Sequence, residues 1–148
     1  MKKNIKNNNG FTIIELIVVI AIIAVLAAIV LVNVTQYIAK GKNAAIKGNM
    51  STIMTNAAVF YDGQSPSTYV GYDLGTTYTQ PAASVVTNGG TMAKVVAASK
   101  ACFCTTMNVT NTEVTGTTFC VDTSGLKVQK VQTCAAACVT PATGDCTP

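Results

Sequence analysis

The chain has 148 residues, room for one modest domain, and its ten basic residues face six acidic ones for a formal net charge of +4. Hydrophobic residues make up 49% and charged residues 11%, with a mean hydropathy of +0.41. That balance excludes a charged disordered tail and argues against an ordinary cytosolic domain.

The apolar excess is concentrated near the start. From Leu16 to Val32 no side chain is polar, and with residues 11–15 the stretch reaches about 22 residues, enough for the roughly 20 helical residues that span a bilayer core. Lys2, Lys3 and Lys6 precede it, so the rest of the chain is nearly neutral, too thinly basic for nucleic acid to be its main ligand. A cleaved secretory signal would have a shorter apolar core, although Ala24, Ala27 and Ala28 imitate its small-residue cut site. A plain membrane anchor fits the length but leaves Glu15 unexplained, because a carboxylate in a span needs an interface, a partner or a function.

Gly10-Phe11-Thr12-Ile13-Ile14-Glu15, after a Lys/Asn-rich leader and before an unbroken apolar run, resembles the prepilin signature of type IV pilins and type II secretion pseudopilins. The resemblance implies cleavage by a prepilin peptidase between Gly10 and Phe11, with residues 1–10 as leader. It also implies N-methylation of Phe11 and a role for Glu15 in assembly, pairing with the Phe11 amine of a neighbouring copy. The physical logic agrees: the cut creates a cation at the head of an apolar helix, and an axially shifted carboxylate gives each charge a partner. A glycine before the cut leaves an unhindered backbone for the protease. One departure is Val32, which stands where relatives usually carry a proline, and Ala24 stands where some carry glycine. The span has no helix breaker, so the local melting seen in some relatives' filaments is not implied here.

Beyond the span, Val34, Tyr37, Ile38, Ala45, Ile46, Ile53, Ala57 and Phe60 recur at helical spacing among polar residues. One helix is therefore expected over residues 11–61, closed by Asp62-Gly63, with 11–33 in the membrane and 34–62 as an amphipathic continuation. At 1.5 Å per residue it would measure about 75 Å. Gly41 and Gly48 are its soft points, read as close packing of the following strands or slight bending, against a functional hinge. Residues 63–148 form the head. Its first part, through residue 91, is rich in Gly, Ser, Thr and Pro and reads as a long loop, with Tyr69, Tyr72 and Tyr78 anchoring it to the helix rather than forming an adhesive surface.

Residues 92–131 read as short antiparallel strands: an ambiguous segment at 94–96, strands over 101–109, 114–122 and 126–131, and a hairpin turn at Thr123-Ser124-Gly125. The tail, 132–148, is made of small residues and cannot fold unless tied to the sheet. All six cysteines, Cys102, Cys104, Cys120, Cys134, Cys138 and Cys146, fall in this last third. Their even number behind a membrane-targeting segment favours disulfides over zinc, since no His accompanies them and the spacing is not that of paired knuckles. Strand alternation puts Cys102 and Cys104 on one face and so disfavours a bond between them; the 15 possible pairings stay open. Lysines flank both ends of the span, so the positive-inside count is a tie, and the cysteines break it by placing the head outside.

The fold expected is α+β and pilin-like: a long N-terminal helix packed on a small antiparallel sheet, with a disulfide-stapled C-terminal region. Residues 119–125 also look like a strand-and-turn segment of some bacterial pilin-like proteins. Asp122 is read as a turn cap, with a calcium ligand as the competing role. Asn108-Val109-Thr110 is a glycosylation sequon by pattern. No catalytic residue, metal or cofactor is expected: there is no His, G-x-S-x-G, P-loop, Rossmann fingerprint or carboxylate pair, and no activating group for a cysteine nucleophile. The resemblance implies a filament subunit held once through the bacterial inner membrane, head outside, and displayed at the cell surface after assembly. Its partners would be its own copies, the prepilin peptidase and an assembly machine. A type II secretion pseudopilin is the alternative within the family. Outside it, the alternative is a secreted or anchored disulfide-rich binding module.

Overall fold

The computed structural model describes residues 10–139 and 145–146. The leader, residues 1–9, lies outside the described residues, as do 140–144 and 147–148 of the tail. The chain divides into two compact units between Thr35 and Gln36.

In the first unit, Gly10, Phe11 and Thr12 are non-helical and helix α1 (Ile13–Asp62) begins immediately after them. Every large apolar side chain described between Phe11 and Leu31 is exposed, none by less than 47%. In water such a surface would be strongly unfavourable, at about 25 cal/mol per Å², so this segment belongs in lipid or against other chains.

The second unit is built on the later turns of α1, where Ile46, Met50, Ile53 and Ala57 are fully buried at spacings of four, three and four. After α1 comes a single 3-10 turn (Tyr72–Leu74), helix α2 (Thr76–Thr87), strands β1 (Met92–Val96), β2 (Ala101–Thr106), β3 (Thr117–Asp122) and β4 (Lys127–Val131), the short helix α3 (Cys134–Ala137), and the strand pair β5 (Cys138–Val139) and β6 (Asp145–Cys146). β1 to β4 form one antiparallel sheet in sequence order. The register sets Phe103 opposite Val121 and Cys104 opposite Cys120.

Alternation along β2 and β3 sorts the side chains onto two faces. Phe103, Phe119 and Val121 pack with Ile46, Met50 and Ile53 of α1 and with Tyr69, Tyr72, Tyr78 and Val85. Cys102, Cys104 and Cys120 pack on the other face with Ala137, Cys138 and Cys146. The two central strands are thus covered on both sides, by helices on one and by the disulfide-bonded tail on the other, and every residue of β3 is buried.

The long loop expected at 63–91 is in part a helix. α2 contains Pro81, which cannot donate to the carbonyl of Thr77, four residues back. That carbonyl accepts from Asn56 Nδ2 of α1 at 2.8 Å instead, so the acceptor orphaned by proline becomes a tertiary contact. The three tyrosines do anchor this region. The Tyr72 hydroxyl donates to the Ile53 carbonyl at 2.7 Å, and burial pushes that hydroxyl well above the usual phenol range. Its ring meets Phe60, Tyr78 and Phe103 at centroid distances of 5.5, 5.8 and 5.8 Å. Tyr61 and Tyr69 stack at 4.5 Å.

Candidate assembly site and disulfide-closed head

The head of α1 is organised by Thr12 and Glu15. Glu15 Oε2 accepts from the Thr12 backbone N–H at 2.8 Å and from Thr12 Oγ1 at 2.7 Å, while the Glu15 N–H donates back to Thr12 Oγ1 at 3.3 Å. This is a reciprocal capping box, which satisfies backbone donors that a helix start leaves unpaired. Glu15 therefore has a role within its own chain that sequence reasoning missed, although the Thr-x-x-Glu pattern before an apolar run was the available signal. Both bonds from Thr12 fall on Oε2, so Oε1 can take a further donor. Among the described residues no heavy atom lies within 4 Å of where a Cβ on Gly10 would stand, and Phe11 is 86% exposed, so on that side the bond between them is uncrowded and its backbone is non-helical.

The cysteines pair as Cys102–Cys138, Cys104–Cys134 and Cys120–Cys146. Each bridge joins the tail to β2 or β3, and Cys102 and Cys104 bond to different partners from one face. The sulfurs of Cys102, Cys120 and Cys146 cluster closely, with Cys102 Sγ 3.1 Å from Cys120 Sγ. All six sulfurs are spent in disulfides, so this closeness is two adjoining bridges rather than a set of thiolate ligands.

Asp122 is buried and fully engaged. Its Oδ1 accepts from Ser124 N at 2.9 Å, Ser124 Oγ at 2.5 Å and Leu126 N at 3.1 Å, and its Oδ2 from Cys146 N at 2.7 Å. Donors aimed at both oxygens make it the turn cap expected, and also the clasp that holds Cys146 beside Cys120. A calcium ion would have to displace these donors.

The β2–β3 loop, residues 107–116, is tied to α1 by contacts the sequence did not reveal. Asn43 Oδ1 accepts from Asn108 N at 2.8 Å and from Asn108 Nδ2 at 3.0 Å, Asn43 Nδ2 donates to the Asn108 carbonyl at 2.9 Å, and Asn108 Nδ2 also reaches the Asn88 carbonyl at 2.8 Å. Both amide hydrogens of Asn108 are thus occupied, which sets its side chain against the role of glycan acceptor. The Asn111 N–H donates to Gln36 Oε1 at 3.0 Å. Glu113, largely buried, accepts from the hydroxyls of Thr110 and Thr112 and lies 3.8 Å from Lys47 Nζ. These hydroxyls, then the lysine, hold its carboxyl below the usual range.

No constellation suited to catalysis appears among the described residues. A concavity of about 290 Å³ lies on the apolar helix, lined by Ala21, Ile22, Val25 and Leu26, which offer no titratable group. No curated protein and no solved structure matches the chain. A family model described as the prokaryotic N-terminal methylation motif matches residues 5–31, which include Gly10, Phe11, the capping box and nearly all of the apolar run. In that stretch the chain carries the signature of the type IV pilins and pseudopilins.

Proposed function

We propose that this chain is the structural subunit of a type IV pilus. It is cleaved after Gly10, methylated on the Phe11 amine, held in the inner membrane by the first half of α1, and then packed with its copies into a filament. The carrying observation is an exposed apolar helix with one carboxylate, Glu15, at its head. In the membrane lipid covers that helix; in a filament neighbouring copies do, and burial of its apolar area drives assembly. Head-to-tail contacts of this heterologous kind propagate without closing. The capping box keeps Glu15 at the helix start, where the amine of a copy shifted along the axis can reach Oε1. Three bridges buried in the head favour a filament exposed outside the cell over a pseudopilus, whose subunits would share the same span.

Intact-mass and N-terminal analysis of unreduced protein from its own cell surface tests the processing step. A chain beginning at N-methyl-Phe11, lighter by three disulfides, is expected; a start near Ala28 would mean ordinary signal cleavage and would sink the filament reading. Glu15 is tested by two substitutions. Glu15→Gln keeps an acceptor for the Thr12 donors and removes the charge, whereas Glu15→Leu removes both. If Glu15 pairs with an amine, both variants insert and both lose filament yield about tenfold or more, as expected for a lost charge pair. Normal filaments from Glu15→Gln would reduce Glu15 to its capping role.

A further inference from the structure

The geometry points to a lipid-contact surface on the head, formed by the β2–β3 loop and the first turns of α1 in the second unit, which rests on the anionic headgroups of the membrane that holds the subunit. It builds on the membrane-anchored reading above. Gln36 follows the apolar run by four residues, a reach of at most about 14 Å in any backbone conformation. Because the Asn111 N–H is bonded to Gln36 Oε1, the tip of the loop is held within a few ångströms of that point. Asn108 is fixed to Asn43 two turns further along α1, so between these two ties the loop follows α1 back to Gln36, the residue of this unit next in sequence to the apolar run.

The side chains displayed there suit an interface. Tyr37, Ile38, Val109 and Val114 are each more than half exposed, although Met107, Thr110 and Glu113 of the same loop are buried. An aromatic ring just beyond a span sits at headgroup depth, and neither Val109 nor Val114 belongs to a core cluster of the described residues. Lys40 and Lys42 follow within six residues of Gln36 and supply charge of the sign that anionic lipid attracts. Glu113, the acidic residue of the loop, is turned inward to Thr110, Thr112 and Lys47 and does not oppose them.

The chain has no tryptophan, so a single introduced one is an unshared fluorescent probe. The full chain would be placed in vesicles of phosphatidylcholine and phosphatidylglycerol, with and without brominated acyl chains, in three variants. Tyr37→Trp reports the anchor. Val109→Trp reports the loop, with Val114→Trp as a second loop position should the first misfold. Leu74→Trp is the control, on the turn next to Tyr72, whose hydroxyl reaches Ile53 some 25 Å along α1 from Gln36. Expected is about twofold quenching of Tyr37→Trp and Val109→Trp by bromolipid, with Leu74→Trp unchanged. Replacing Lys40 and Lys42 with Gln should weaken the Val109→Trp signal. Quenching at Tyr37→Trp but at neither loop position overturns the surface and leaves the anchor standing. A blue shift of Val109→Trp that rises with protein-to-lipid ratio and is insensitive to bromolipid would mean that a second copy covers the loop, and overturns it too. Failure of the chain to float with the vesicles removes the anchor and the surface together.

Discussion

Glu113 shows how one side chain connects the loop to the helix, and it makes the head sensitive to acid. Its carboxyl is held below the ordinary value first by the hydroxyl of Thr110, then by that of Thr112, with Lys47 adding a smaller pull. A group whose pKa is depressed by folding contributes stability above its unfolded value, about 4.3 for Glu, and loses that contribution as pH falls through the folded value. Thermal melts of the wild type and Glu113→Gln at pH 6 and pH 3 test this directly. The wild type should be the more stable at pH 6, and its advantage should shrink at pH 3. An advantage of the same size at both values would mean that the carboxyl is not held in its charged form by these partners. Asp122, buried nearby in sequence on β3, plays a comparable part for the tail. Its role as a turn cap was readable from Asp-Thr-Ser-Gly, but its bond to the Cys146 N–H was not, because that contact crosses 24 residues.

Among the elements, α1 was the most legible, since a long apolar run followed by helical periodicity admits few alternatives. β2, β3 and β4 were found within about three residues of their ends and β1 only as an ambiguous segment, as expected where alternation is clear and boundaries are set by turns, whereas α3, β5 and β6 carry no pattern of their own and were not found. α2 was hidden. Its sequence, TTYTQPAASVVT, has a proline in its interior and few strong helix formers, and what stabilises it is tertiary: Asn56 on the Thr77 carbonyl and Tyr78 and Val85 in the core. For the glycines of α1, one of the two expected explanations fails. Close packing of the strands was one explanation for Gly41 and Gly48, yet both are exposed and neither has an atom of the fold within 4 Å of a built Cβ. Gly48→Ala should therefore stabilise the isolated chain by about 0.5–1 kcal/mol, the difference in helix propensity. A denaturant midpoint that moves down instead of up would reveal a packing requirement at that position. If stability rises while filament yield falls, the glycine serves contacts between copies.

At the scale of the whole molecule, the disulfides decide whether the head has one covered sheet face or two. All three run between the tail and the central strands, closing sequence separations of 36, 30 and 26 residues. That these cysteines would pair was legible from their number and compartment. Which would pair was not, because the choice depends on a register and on the Asp122 clasp that a linear reading cannot place. Each bridge closed alone would stabilise the head by about 3.5–4 kcal/mol on the chain-entropy model, and less for each added bridge because the loops overlap. The combined contribution still rivals the roughly 5–15 kcal/mol that holds an average domain together. The two faces should respond differently to its loss. The helix face has its own core of Ile46, Met50, Ile53, Tyr72 and Phe103, whereas the opposite face is covered by a tail whose buried side chains, among the described residues, are Ala137, Cys138 and Cys146. Under a phosphine reductant the tail should detach first, and amide exchange should speed up in β2 and β3, where Asp122 loses its Cys146 partner, before it does in the later turns of α1. Full reduction should lower the melting temperature of the head by about 20 °C or more, from the size of the entropic term against the stability of a small domain. Equal loss of protection on α1 and β3 would instead mean that the head unfolds as one unit. A reduced chain melting within a few degrees of the oxidised one would show that packing against α1 alone holds the sheet.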